Sequence, residues 1–297
     1  MDLLILAAGQ GSRFGGPKQF EPIDENGNFI MDYSIYDAIE VGFDKVVIIT
    51  RKCFENLVQE TLVKRLAGKV KVEVVFQEND YIKQNFGVDR EKPLGTGFAV
   101  MLAENVISDN FCIINADDFY GKESFKIAYD FMESADRNSM DFGLIGYELK
   151  NTLSEKGAVK RGMCLEKNGY VTEIVDRKVE FVGDDILVTE LDSGRQYYAP
   201  RDTIASMNML CFTPKFFEYV KEQFKLFCAS IDNLQTKEFS IPNLLDVATK
   251  QGFATIKLLR SPEKWIGMTY KEDKEDVVSK IGELVKRNLY TKNLWEK

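Results

Sequence analysis

Residues 3–22 read LLILAAGQGSRFGGPKQFEP, and the rest of the chain is organised around them. Residues 3–7 are an apolar run of strand length. Gly9 and Gly11 follow as a turn in which the backbone comes close to whatever binds there. Arg13 and Lys18 stand within reach of one anionic group. A glycine turn offers unpaired backbone N–H groups and the two cations offer charge, so the stretch predicts a polyphosphate site. It is not a P-loop, because no G-x-x-x-x-G-K-[ST] string occurs. Nor is it a dinucleotide fingerprint: Phe14 stands where a small residue would open a helix, and Gly15-Gly16-Pro17 interrupts any helix there.

Working outward, residues 31–42 carry apolar residues at helical spacing and end on a glycine. Residues 45–50 (KVVIIT) predict a second buried strand. Residues 55–66 predict an amphipathic helix with Leu57, Val58, Leu62 and Leu66 on one face, and 70–76 alternate as a third strand. A β-α-β-α-β order predicts parallel strands with right-handed crossovers. Ligands then sit beyond the carboxyl ends of the strands, where the glycine turn lies. Residues 77–95 (QENDYIKQNFGVDREKPLG) break the rhythm and predict a long functional loop. A helix is expected over 96–106 and a buried strand over 111–115 (FCIIN), which runs into Ala116-Asp117-Asp118-Phe119. Carboxylates at the end of a buried strand are costly unless they are paired or hold a metal. Asp118 is either a second ligand or a cap on the helix expected over 122–133. Further strands are expected over 141–149, 163–165, 206–212 and 254–259, and helices over 216–227, 238–251 and 277–289.

The string L-A-A-G-x-G-S-R-F followed by Pro17, Lys18 and Pro22 resembles the signature of the nucleoside-triphosphate transferases that activate sugar 1-phosphates, and especially the uridylyltransferases. The resemblance runs from about residue 3 to residue 269. It implies that Ala7, Ala8, Gly9, Gly11 and Ser12 bind nucleotide, with Arg13 and Lys18 on the triphosphate. It implies a pyrimidine reader in Gln77 with Gly95 and Thr96, and a Mg²⁺ ligand in Asp117. Gly169 to Arg177 (GYVTEIVDR) is similar to the family's G-x-V-x-x-I-x-E-K. The resemblance therefore places Gly162, Asp176 and Arg177 at the sugar phosphate, with Asn208 against sugar or metal. It also implies a small antiparallel β region laid over the strand ends. Trp265-Ile266-Gly267-Met268-Thr269 departs from the family's W-x-D-x-G-T, whose Asp is the second metal ligand. Gly267 cannot ligate, so that ligand comes from Asn208, Asp118 or Asp273, or metal use is altered, or the protein is not a working transferase.

The expectation is one α/β nucleotidyltransferase domain over residues 1–297. Its Rossmann-like mixed, mostly parallel twisted sheet is flanked by helices, with an NTP half at 1–120, a sugar-phosphate half at 121–270 and a C-terminal helix at 271–297. It would join an NTP, with UTP favoured, to a sugar 1-phosphate with Mg²⁺ as cofactor. Three alternatives remain: a cytidylyltransferase using phosphocholine or a similar non-sugar phosphate, a glycosyltransferase, and a non-catalytic nucleotide or sugar sensor. The 297 residues include no histidine, which removes histidine-based triads and a histidine general base. A net charge of −8 argues against non-specific nucleic-acid binding. No apolar run is long enough to span a bilayer, and no basic leader precedes Leu3. Five cysteines without a C-x-x-C pair read as reduced and mostly buried, which gives a cytoplasmic expectation.

Overall fold

The structure is a computed structural model that describes residues 1–9, 11, 14–78, 80–90, 92–154, 157–268 and 271–296. Strand β1 (Asp2–Leu6) buries Leu3, Leu4 and Ile5 completely. Leu4 joins one hydrophobic core, while Leu3 and Ile5 join another on the opposite face. That is why the run has no polar alternation: a central strand is dry on both sides. Parallel neighbours β2 (Lys45–Thr50) and β4 (Phe111–Asn115) flank it, and β3 (Lys71–Phe76) pairs parallel with β2.

Helix α1 (Ile30–Val41) covers one face. It stops at Gly42, whose φ of 116° suits a residue without Cβ, and the Gly42 and Phe43 N–H groups both donate to the Ala38 carbonyl. Residues 55–66 are helical in three joined pieces, α2 (Glu55–Val58), a π turn (Gln59–Val63) and α3 (Lys64–Leu66). Val58, Leu62 and Leu66 are buried there, but Leu57 is exposed. The expected loop over 77–95 instead holds α4 (Asp80–Phe86), seated by buried Ile82 and by Tyr81 against Phe98 and Phe224. Next come α5 (Thr96–Leu102), which ends earlier than expected, the short β5 (Asp118–Phe119) and α6 (Lys122–Ser134). Gly121, not Asp118, occupies the cap position of α6.

The second half runs β6 (Asp141–Glu148), β7 (Val159–Lys167), β8 (Tyr170–Val182), β9 (Asp185–Glu190), β10 (Gln196–Tyr198) and β11 (Ile204–Phe212). Then follow α7 (Lys215–Cys228), α8 (Ile231–Thr236), α9 (Ile241–Lys250), β12 (Thr255–Ser261), β13 (Ile266–Gly267) and α10 (Asp273–Lys286). The 11-stranded sheet has the order β10-β9-β8-β12-β6-β11-β4-β1-β2-β3, with β7 pairing β11 and β8. It is mixed and flanked by helices, as expected. Its parallel pairs are β3–β2–β1–β4 and β6–β12, and the other pairings in it are antiparallel. The β7–β10 region is antiparallel, as expected, with residues of β7 and β8 lining a cavity beside the strand ends. It continues the main sheet through β11 and β12, because a tight turn at Asn168 and Gly169, both with positive φ, folds β8 straight back on β7. The five cysteines are free, and only Cys112 and Cys211 are buried. Among the described residues no helix is long and apolar enough to cross a membrane.

The C-terminal stretch packs on α1. The Tyr290 hydroxyl donates to Asp37 Oδ2 at 2.7 Å, and Trp295 Nε1 donates to Asp32 Oδ1 at 3.2 Å. The other oxygen of Asp37 is buried without a hydrogen-bond partner. Burial pushes the Asp37 carboxyl up from 3.8 to about 8; the Tyr290 hydroxyl and Lys122 oppose the rise, and Glu263 and Glu40 add to it. The native chain therefore holds a proton there that the unfolded chain has released. The stability this proton confers is complete below the unfolded value and is lost as pH rises toward the native one. Asp37→Asn is expected to flatten this loss, so its melting temperature falls less than wild type between about pH 5 and about pH 9. Equal slopes for the two proteins would show that Asp37 is ionised in the native state.

Candidate active site at the strand ends

The carboxyl ends of β1 to β4 open into a cavity of about 520 Å³. Ala8, Gly9 and Lys18 line one side, Gln77, Gly95 and Thr96 another, and Asn115 and Asp117 the floor end. The opening turn is closed by its own backbone. Phe14 and Gly15 donate to the Gly11 carbonyl at 2.9 and 3.0 Å, and Lys18 N–H donates to the Gly16 carbonyl at 2.9 Å. Gly11 has φ of +60°, and a Cβ there would lie 1.8 Å from the Gly16 oxygen, so no side chain fits. Gln19, buried, pins the start of the turn by donating from Nε2 to the Ala7 and Gly9 carbonyls at 2.9 and 3.1 Å. Among the described residues nothing lies within 4 Å of where a Gly9 Cβ would stand. Ser12 and Arg13 lie outside the described residues.

Lys18 is held at both ends of its reach. Its Nζ donates to the Met268 carbonyl at 2.8 Å and is ion-paired with Asp117 Oδ2. Both side chains are about three-quarters buried (23% and 22% exposed), so the charges are fixed rather than waving in water. Gln77 is buried, with Nε2 directed at the Gly95 carbonyl at 3.4 Å. The Gly-Thr-Gly segment is shaped by a neighbour distant in sequence. Gly95 has φ of +120°, and a Cβ there would lie 2.6 Å from the Phe239 oxygen. Gly97 N–H donates to that oxygen at 2.9 Å, and the Thr96 hydroxyl accepts from Ile241 N–H at 3.0 Å.

A second cavity, of about 700 Å³, adjoins the first, and Asn115, Asn208, Leu210 and Pro242 line both. Asp118, Gly162 and Asp176 line the second. Asn208 sits at the bulge of β11 in the left-handed region, with φ of 60°, which turns it out of the ladder at the junction of the two spaces. Arg177 lines neither cavity. It is placed directly opposite Arg161 in the β7–β8 register, whereas Asp176 is opposite Gly162. Asp176 lines the second cavity, as does Arg161, while Arg177 does not. Asp273 opens α10 and lines neither cavity.

Asp118 is buried, its Oδ2 accepting from Asn115 Nδ2 at 2.9 Å and from the Tyr120 hydroxyl at 3.3 Å. Burial, and then the adjacent Asp117 charge, push its carboxyl upward. Gly267 pairs with Asp118 across β13 and β5. A Cβ on Gly267 would lie 2.0 Å from the Trp265 ring and 2.6 Å from Asp118 Oδ1. The space a side chain at 267 would use is therefore filled by an indole and a carboxylate oxygen. Trp265 is in turn stacked under the Arg161 guanidinium at 4.6 Å. Thr269 lies outside the described residues. Gln19 and Asn115 are support and wall residues that the sequence does not single out, and Glu238 is a wall residue that the sequence marks only as the start of a helix. Asn115 ends a strand like any other, and Glu238 reaches the cavity only because 237–241 packs on Gly95.

Residues 3–85 match the family described as the MobA-like NTP transferase domain. The chain is 30% identical over 161 residues to a bifunctional protein GlmU of Methanococcus maripaludis (strain C5), covering 50% of this chain and 34% of that protein. It is 29% identical over 160 residues to the bifunctional protein GlmU of Methanococcus vannielii, with the same coverage of 50% and 34%. The chain thus spans about a third of the length of these curated relatives. Among solved structures it is similar to the inositol-1-phosphate CTP transferase from T. maritima, with TM-score 0.61, 17% identity and coverage of 95% and 96%. It is also similar to a putative glucose-1-phosphate thymidylyltransferase from Bacillus anthracis in complex with a sucrose, with TM-score 0.64, 16% identity and 94% of each chain covered. For a UDP-glucose pyrophosphorylase complexed with UDP-glucose the values are 0.60, 18%, and 95% and 98%. At these identities the structural likenesses concern the fold. The resemblance to NTP transferases read from the opening stretch is borne out.

Proposed function

We propose that this protein is a nucleotidyltransferase that joins a nucleoside triphosphate to a phosphorylated sugar or polyol and releases pyrophosphate. One observation carries the reading: two cavities share a wall at Asn115 and Asn208, with Lys18 and Asp117 on one side and Asp118 and Asp176 on the other. In this reading the triphosphate lies along the opening turn, its α-phosphorus at the shared wall. The Lys18 ammonium holds the leaving phosphates. The acceptor's phosphate oxygen comes from the second cavity, already anionic at neutral pH, so no general base is needed in a chain without histidine. The rate then comes from positioning and charge neutralisation. The donor set at this wall also suits Mg²⁺, which takes one or two carboxylates and completes its shell with substrate phosphates and water. Asp117 would hold it, with Asp118 Oδ1 beside Gly267 or the Asn208 carboxamide as second donor. Bound there it would neutralise charge on the phosphate oxygens.

UTP is the favoured nucleotide, a preference that rests on the resemblance of Gln77, Gly95 and Thr96 to a pyrimidine reader. A carboxamide offers a donor and an acceptor side by side, which suits the edge of uracil. Phosphocholine is the weaker acceptor candidate. No Phe, Tyr or Trp is found among the described residues lining the second cavity, and a quaternary ammonium is recognised best by aromatic faces. The test is pyrophosphate release with Mg²⁺ and each of UTP, dTTP, CTP, GTP and ATP against a panel of sugar 1-phosphates, inositol 1-phosphate and phosphocholine. Release with UTP and a hydroxyl-rich acceptor is expected. Release with CTP and phosphocholine alone would overturn both the base and the acceptor.

A further inference from the structure

Asp118 and Gly267 do not belong to the large sheet. They lie in a two-stranded ribbon, β5 with β13, in which Phe119 faces Ile266 and Asp118 faces Gly267. Asp117 and Met268 flank this ribbon, and Met268 N–H donates to the Asp117 carbonyl at 3.3 Å. A ribbon this short does not hold its own shape and takes it from what packs on it. Helix α1 grips it through the Ser34 hydroxyl, which donates to the Asp118 carbonyl at 3.2 Å. Its apolar backing is a cluster in which Phe119, Ile266 and Met268 meet Val277 and Ile281 of α10 and Tyr290 and Leu294 beyond it. All of these side chains are buried. Phe14 of the opening turn packs on the same cluster. Polar ties then fasten the C-terminal residues to 21–37. Lys274 pairs with Glu21 and Lys292 with Glu25, and Asn26 Nδ2 donates to the Lys292 carbonyl at 2.8 Å. Tyr290 and Trp295 donate to Asp37 and Asp32 of α1.

We propose that residues 273–296 form a strap that positions the Lys18–Asp117 pair, with Tyr290 as the positioning residue. The inference rests on the transferase reading of that pair. The route is short. The Tyr290 ring meets Phe119 edge to face at 6.0 Å and Tyr33 of α1 at 5.2 Å. Phe119 follows Asp117 and Asp118 directly in the chain. Met268, whose side chain is buried in the same cluster, presents the carbonyl that accepts from Lys18 Nζ at 2.8 Å. When the strap loosens, the ribbon shifts and the ammonium loses one of its two anchors. A misplacement of about 1 Å is enough to cost on the order of a hundredfold in rate. The wall formed by Gln77, Gly95 and Thr96 is braced by Phe239 and Ile241 instead. Turnover should therefore suffer more than nucleotide binding.

The test joins amide hydrogen exchange over 117–119 and 266–268 to steady-state kinetics with UTP, on the full chain well below its melting temperature. Tyr290→Ala is expected to speed exchange of the ribbon and to lower turnover, each by about tenfold or more, while the KM for UTP stays within about twofold. Tyr290→Phe keeps the ring and should keep both quantities near wild type. Leu294→Ala removes less of the cluster; it should move both in the same direction and serves if Tyr290→Ala does not fold. Leu66→Ala is the control. Leu66 is fully buried in another core, so its loss should lower the melting temperature and leave ribbon exchange and turnover unchanged. Turnover that falls in step with melting temperature in every variant, Leu66→Ala included, overturns the proposal. So does unchanged exchange at 266–268 in Tyr290→Ala. If exchange responds as expected while no acceptor supports pyrophosphate release, the strap's hold on the ribbon stands and the transferase reading falls.

Discussion

Lys18→Ala is expected to lower pyrophosphate-releasing turnover on the order of a hundredfold or more, the scale of removing a preorganised charge from a reacting phosphate or oxyanion. The geometry sets the size of the effect. The ammonium is about three-quarters buried and is fixed between the Asp117 carboxylate and the Met268 carbonyl, so it needs no reorganisation as charge develops on the leaving pyrophosphate. Its removal also leaves Asp117 without its cation, in the cavity that would receive a polyanion. Affinity for the triphosphate should fall as well, but turnover should fall further, because the charge Lys18 meets grows as pyrophosphate leaves. Lys18→Arg should recover only part of the loss, because the larger planar guanidinium does not fit the partly buried position of a compact ammonium between Asp117 and the Met268 carbonyl. Steady-state kinetics together with equilibrium nucleotide binding separate the two. Near-wild-type turnover in Lys18→Ala would remove Lys18 from the mechanism.

The second large effect concerns a substitution that brings the chain closer to the W-x-D pattern of the resembling family. Gly267→Asp is expected to destabilise the protein by about 2 kcal/mol or more and to abolish activity rather than improve it. The first atom of the new side chain would overlap the Trp265 ring at 2.0 Å and crowd Asp118 Oδ1 at 2.6 Å. A second carboxylate would then face a buried one. Gly267→Ala meets the same overlap without the charge and should be destabilising by a smaller amount. In the double variant Trp265→Ala/Gly267→Asp the indole is gone, so stability should return toward that of Trp265→Ala alone. Thermal melts of the four variants and the wild type check this. An unchanged melting temperature in Gly267→Asp would mean that the indole readily leaves the position it occupies.

Much of this site can be read from the sequence, for a physical reason. The opening stretch is local: a strand dry on both faces, a turn that tolerates no Cβ at Gly11, and Lys18 a few residues on. Asp117 is equally local, an acid just past a buried strand. What could not be read depends on register and on distant packing. The GYVTEIVDR string says nothing about which of its residues meet the cavity, and Asp176 does so while Arg177 does not. The helix within 77–95 was hidden because its apolar contacts, Phe98 and Phe224, come from elsewhere in the chain. Gly267 is legible as a departure, but its cause, the Trp265 ring lying back over it, is tertiary.

The most direct test of nucleotidyl transfer between the two cavities is to follow the α-phosphate itself. UTP labelled at the α-phosphorus is incubated with the protein, Mg²⁺ and the panel of sugar and polyol phosphates, and the label and pyrophosphate are counted together. The expected result is label in a UDP-linked product, formed in equal amount with pyrophosphate and only when an acceptor is present. Bound nucleotide with no label transferred to any acceptor, or label released as UMP with the acceptor untouched, would contradict it.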